Sequence, residues 1–498
     1  MEEMTRREFG QFAALATLAA TRIAMPERMS AAATGGTIPN QEAPPSPVPA
    51  SHDQINLDGV TQTNGMLLPQ GNVTVQGNGW DSGIFVKSGA NNTALFNGMP
   101  FQPDTGKPPA QQANILLRDF RLQGNRGNGT NGNATSGNPR IAVPSNSWIL
   151  GIHLANVTRV LLDHLWIDDA PTYALLFDNV SDAIIQNCRL ESPSGALNSD
   201  GIHINGPASD IGIHNCDILS PGDDSIALNA PEGYGGEISR VTISDCRFRA
   251  GLTAMRIYTF VSKAPCRVSD VLFSNCTGKF ANRNGEPCAV FRLGNMPKSD
   301  DPDLIQSLSV SNCVFSTETY FLQAVDNIGI LKLSNVTWDS PTSAKYGFIC
   351  LELSAISELI VTACSIYRTS AGNASPSLIN SREPAGASVA KLVIDGFSIG
   401  NQTRTSPSPV PYLIDMANLT IGQLVIEALD TNNIAALVNP ASGFKGIGTI
   451  SGAGVLATGF QIPDSVMANG VPYISSTSPN EGKPCIKIAG KVMTYIFA

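Results

Sequence analysis

The sequence predicts an all-β chain wound as one parallel β-helix of about a dozen coils. Four observations carry this. Only 15% of the 498 residues are charged, well under the usual quarter. Gly, Asn, Ser and Thr are abundant, and amphipathic helical windows all but vanish past residue 35. A short phrase then recurs as AIIQNCRL, IGIHNCDI, VTISDCRF, VLFSNCTG, LSVSNCVF, LKLSNVTW and LIVTACSI. Its Asn, Asp or Ala falls at positions 187, 215, 245, 275, 312, 335 and 363, a spacing in the twenties and thirties that marks stacked repeats. Finally, apolar residues alternate within each phrase, which is the period of strands and not of helices. Strands and turns that recur in this way can coil so that each strand pairs in parallel with its copy in the next coil.

Each part of the coil follows. The Asn before the Cys is expected to form a turn ladder, its amide bonding to the coil above. Cys188, Cys216, Cys246, Cys276, Cys313 and Cys364 occupy one repeat position and read as a buried packing column of unpaired thiols. No CxxC pair argues for a metal. A second strand has the members GIHLA, ALLFD, GIHIN, SIALN, AMRIY, VFRLG, FLQAV and CLELS. Aligning their two inward apolar residues leaves an outward column of His153, Leu176, His203, Ala227, Arg256, Arg292, Gln323 and Glu352. SLIN, YLIDM and AALVN continue the series.

Two members of this strand share the phrase Asp-x-Ile-x-aliphatic-Asn, beginning at Asp200 and at Asp224. The alignment puts these acids at one position in consecutive coils, with Asp223 beside Asp224. Three carboxylates then crowd within roughly 5–8 Å. Like charges at that range resist joint ionisation, so at least one pKa rises. A protonated carboxyl beside ionised ones is the equipment for hydrolysing a glycosidic bond. His203 and His153, with Arg256 and Arg292, suggest a sugar-binding groove in which the Arg pair grips carboxylate or sulfate. Tyr258 and Tyr173 are candidate sugar platforms.

The stretches NSD, ending at Asp200, and GDD, ending at Asp224, resemble the Asn-Thr-Asp and Gly/Gln-Asp-Asp motifs of polygalacturonases, pectin lyase-like proteins with a right-handed parallel β-helix. The coil pattern covers most of residues 80–450 and the motif match about 198–229. The resemblance implies inverting chemistry with Asp223 as general acid and with Asp200 and Asp224 holding and deprotonating the water. Thr253 stands where the family has a His, and the family's Arg-Ile-Lys reads Arg256, Ile257, Tyr258. No cofactor is expected for a hydrolase. Two other functions stay open: a lyase with Ca²⁺ on the Asp cluster and Arg256 as base, and a non-catalytic glycan-binding rod.

At the chain start, Arg6 and Arg7 precede a mildly apolar run that ends near MSAAA. This resembles a twin-arginine export signal over 1–33 and implies a periplasmic or secreted protein. The run is too short and Ala-rich for a membrane span. Residues 34–50 read as a Gly/Pro-rich linker, 51–454 as the helix, and 455–498 as a cap or oligomer contact. The net charge of −9 argues against nucleic acid, which needs dense Lys and Arg. The expected partner is a polysaccharide, bound by a monomer or homotrimer.

Overall fold

The computed structural model describes residues 53–494 except 70, 91, 98–107, 126–139, 142–146, 149, 192–198, 221, 250, 260–265, 282–286, 295–303, 341–346, 369–376, 382–385, 402–411, 416–417, 440–445, 456–457, 459, 470, 479 and 489. The export signal and the linker lie outside these residues. Among the described residues there is no α-helix. The chain forms parallel strands, each paired with its counterpart one coil away. Ile152–Asp163 pairs with Leu175–Gln186, which pairs in turn with Ile202–His214. Further on, Ile202–His214 is continued by two strands, Asp224–Asn229 and Ile238–Ser244. A third face stacks Trp166–Asp168, Arg189–Glu191, Asp217–Leu219 and Arg247–Arg249.

The turn between the second and third faces explains the recurring Asn. Asn187, Asn215, Asn275, Asn312 and Asn335 all hold φ between 51 and 55°, a left-handed conformation that Asn tolerates better than most residues. At two steps the expected ladder forms, with the lower amide accepting from the coil above. Asn215 Nδ2 donates to Asn187 Oδ1 and Asn335 Nδ2 to Asn312 Oδ1, both at 2.8 Å. Asn187 donates instead to Asp163, at 2.8 Å. Asp245 takes the turn with φ 58°, and a carboxylate cannot donate the next rung. Asn215→Ala removes one rung and leaves a Cβ in the left-handed region, an expected loss of about 1–2 kcal/mol. The midpoint of urea unfolding checks it. Asn215→Gly relieves the backbone and is expected to lose less.

Inside the coil, one apolar core runs from Leu57 to Cys485. All ten cysteines are buried and none is in a disulfide. The thiols of the column donate to the carbonyl two residues back, as Cys188 Sγ does to Gln186 O at 3.1 Å and Cys276 Sγ to Ser274 O at 3.0 Å. Past the last coil, Met467 bridges Ile450, and Val466, Met467 and Tyr473 join the core. Pro472–Ser475, Pro484–Ile488 and Lys491–Thr494 complete a small sheet there.

The outward column holds from His153 through Leu176, His203, Ala227, Arg256 and Arg292 to Gln323. Its last member is corrected. Gln323 pairs with Cys350, and Glu352 lies just past the strand, where it accepts from Gln323 Nε2 at 3.0 Å. Ile349 and Leu351 are the inward pair, so the alignment slipped by two residues.

Candidate active site

The acids sit where the first-face strands begin. Ile202 pairs with Ile226, so Asp200 lies over Asp224, and the backbone N–H of Asp224 donates to Asp200 Oδ1 at 3.2 Å. Gly201 allows the close stacking. A Cβ there would meet Ser225 O at 2.6 Å and Ile218 Cγ2 at 2.5 Å. Asp223, Asp224 and Asp200 each offer an oxygen within 4.8 Å of the others. Asp200 and Asp224 are buried, and Asp223 is half-buried. Thr253 is the counterpart of Asp224 in the next coil, and its hydroxyl donates to Asp224 Oδ1 at 2.6 Å. Arg256 Nη1 lies 3.6 Å from Asp224 Oδ2.

A second layer of polar groups backs the cluster. His203 Nδ1 is 2.6 Å from Asp200 Oδ2. Its Nε2 faces Asn205 Oδ1 at 3.0 Å and Glu232 Oε2 at 3.1 Å. Asn205 Nδ2 donates to Asp178 Oδ1 at 2.7 Å, and Asp178 Oδ2 meets His153 Nε2 at 2.7 Å. Tyr173 lies flat on the His203 ring, with centroids 4.2 Å apart and planes at 11°.

Burial and charge then set the protonation. Burial pushes Asp200 up to about 6, against the pull of His203 and Arg256. Burial works against a charge on His203, but its bonds to Asp200 and Glu232 outweigh that and push the imidazole up to about 10. Burial also works against charge on Glu232, and His203 outweighs it, holding this carboxyl below its usual range. Tyr173 is pushed well above its ordinary value by burial and then by the surrounding carboxylates, so its phenol stays neutral. Arg256 is held charged by four acids despite its burial.

The three acids converge on the outer side of the coil with the expected register. The sugar contacts expected around them divide. His203 does point out of the coil but is only 2% exposed, covered by Tyr173 and the loop carrying Glu232, so it contacts protein and not a groove. Tyr173 is that cover and not an open platform. His153 is mostly enclosed and tied to Asp178. Arg256, with its guanidinium 5.7 Å from the Tyr258 ring, stays on the accessible side. Arg292, one coil on, is half-buried and donates to Pro287 O at 3.1 Å. Sequence reasoning missed Glu232, Asp178 and Asn205. For Glu232 a signal existed: the insert PEGYGG stands where the two preceding coils run straight on within a few residues.

The cluster spans the width of a cation site, and two of its carboxylates have protein partners. Asp200 faces His203 and the Asp224 N–H, while Asp224 faces Thr253 and Arg256. Ca²⁺ asks for six to eight oxygens, of which these carboxylates could supply a part.

Residues 150–292 match the family model described as a right handed beta helix region. Solved structures share the fold. A double mutant of the tailspike protein of E. coli bacteriophage HK620, in complex with a pentasaccharide, is 11% identical with a TM-score of 0.57. The alignment covers 80% of this chain and 72% of that one. The tailspike protein itself with the pentasaccharide gives 11% identity, the same coverage and a TM-score of 0.56. The Yersinia enterocolitica family 28 exopolygalacturonase is 12% identical over 74% of this chain and 72% of that chain, with a TM-score of 0.47. No curated protein sequence matches significantly. The chain is therefore a right-handed parallel β-helix protein. At 11% identity the likeness to the two tailspike structures is one of fold. Among the described residues no helix is long and apolar enough to cross a membrane.

Proposed function

We propose that the protein is an exported glycoside hydrolase that cleaves a polysaccharide, pectin-like or otherwise acidic, by inverting carboxylate chemistry. The observation that carries this is the convergence of Asp200, Asp223 and Asp224 within 4.8 Å on the outer side of the coil. Asp223 is the member a glycosidic oxygen can reach, since the other two are buried. It gives its proton to that oxygen as the bond to the anomeric carbon breaks. A water attacks the same carbon and passes its proton to Asp200 or Asp224. The acids, with oxygens within 4.8 Å, stand closer than the roughly 6.5–9.5 Å of the usual inverting pair. The anomeric configuration of the first product, read by proton NMR, therefore decides inversion against retention. Arg256, Tyr258 and Arg292 lie along the same face and suit a sugar bearing carboxylate or sulfate. The pentasaccharide held by the tailspike structures supports a glycan partner for such a coil.

A panel of plant and microbial polysaccharides tests the reading. New reducing ends without ultraviolet-absorbing unsaturation, and unaffected by chelator, are expected. Unsaturated ends that need metal would assign a lyase instead. Binding with no product from any member would leave a glycan-binding rod.

A further inference from the structure

We propose that Glu232 and His203 act as a positioning pair, a buried imidazolium clamped between two carboxylates that keeps Asp200 ionised and aimed at the water. This deepens the hydrolase reading and rests on it for its catalytic meaning, though the clamp itself can be tested without turnover.

The argument begins with hydrogen-bond bookkeeping. Asn205 uses its Nδ2 on Asp178, which fixes its Oδ1 as the atom facing His203 Nε2. Glu232 Oε2 faces the same nitrogen, and Asn229 donates to Glu232. Asn229 Nδ2 also lies 3.2 Å from Nε2, but the two oxygens there, at 3.0 and 3.1 Å, are satisfied only when Nε2 carries a proton. Nδ1 points at Asp200 Oδ2, 2.6 Å away. With both ring nitrogens facing oxygens, the three contacts to Asp200, Asn205 and Glu232 are all hydrogen bonds when the ring is doubly protonated. Tyr173 lies face to face with the ring and supports a cation there. The charges facing this ring are Asp200 and Glu232 directly, Asp178 through Asn205, and Asp224 with Arg256 behind Asp200. The consequence for Asp200 is definite. An imidazolium donates and cannot accept, so Asp200 Oδ2 is held as an acceptor and its carboxylate stays charged despite burial. Without Glu232, the ring can lose its Nε2 proton, and a neutral ring favours Asp200 less.

Glu232→Gln tests this, because the side chain is 43% exposed and the substitution keeps its size. The first readout is the ring nitrogen resonances of nitrogen-15-labelled His203, identified by their loss in His203→Gln. In the native protein both nitrogens are expected to stay protonated well into alkaline pH. In Glu232→Gln the deprotonation is expected to move down by at least about one pH unit, a tenfold change in the equilibrium. The second readout is the acid limb of kcat/KM on whichever polysaccharide of the panel is cleaved. Glu232→Gln leaves the ring charged at that acid pH, so His203→Gln is the variant read here: loss of the imidazolium raises the Asp200 pKa, and this limb is expected to move up by about one unit. A native His203 that titrates like a free imidazole, or one indifferent to Glu232→Gln, overturns the proposal and leaves the hydrolase reading standing. So does a uniform fall in kcat with the limb unmoved. If no polysaccharide is cleaved, the hydrolase reading fails while the nitrogen titration still decides the clamp.

Discussion

Replacing Asp223 with Asn is expected to cut turnover of the cleaved polysaccharide by about 10²–10⁴-fold, the usual contribution of a general acid. Asn keeps the size and the hydrogen-bonding reach of Asp but has no proton to give. Its position also limits the damage. Asp223 is the half-buried member of the cluster, and its backbone carbonyl, which accepts from Leu252 N–H at 3.1 Å, is untouched by the change. The coil is therefore expected to hold, with an unchanged circular dichroism spectrum and unchanged affinity for the polysaccharide. Stopped turnover with intact binding separates a lost acid from a lost fold. Full activity in Asp223→Asn would remove Asp223 from the reaction.

The largest expected effect on stability lies in the aromatic column of the core. Phe315 is 1% exposed. Its ring centroid lies 6.1 Å from those of Phe273, Phe280 and Phe291, and 6.4 Å from Phe248 and Phe321. These neighbours come from several successive coils, so Phe315 ties coils together across strands already held by backbone bonds. Phe315→Ala leaves a cavity that parallel strands paired on both sides cannot close, and about 3–5 kcal/mol of stability is expected to be lost. Phe315→Leu keeps most of the volume and is expected to lose less. Urea unfolding of the three proteins gives the order. A loss for Phe315→Ala within the surface range of about 0.5 kcal/mol would contradict a close-packed column.

Much of the architecture could be read from residues alone because a coil is a local object. The Asn-Cys phrase recurs since each turn needs a left-handed residue followed by a small buried one. The Asp200 and Asp224 phrases align because both begin the same strand. The slip at Glu352 shows where this ends. Leu351 and Leu353 flank Glu352 just as Ile349 and Leu351 flank Cys350. Alternation fixes which residues share a face but not which pair begins the strand. Burial on the outer side was also illegible. The pattern placed His203 outside the coil, where it is, but no periodicity reveals that Tyr173 and the PEGYGG insert fold over it. Glu232 was missed for the same reason: its role depends on where a loop leans, and loops carry no period.

The most direct test of the central claim is the mass of the products. Hydrolysis adds one water for each bond cut, while elimination adds none. Mass spectrometry of the early oligosaccharides is expected to show fragments whose summed mass exceeds the parent segment by one water per cleavage, and none in Asp223→Asn. Fragments that add up to the parent without water, or the same products from Asp223→Asn, would contradict cleavage by this carboxylate cluster.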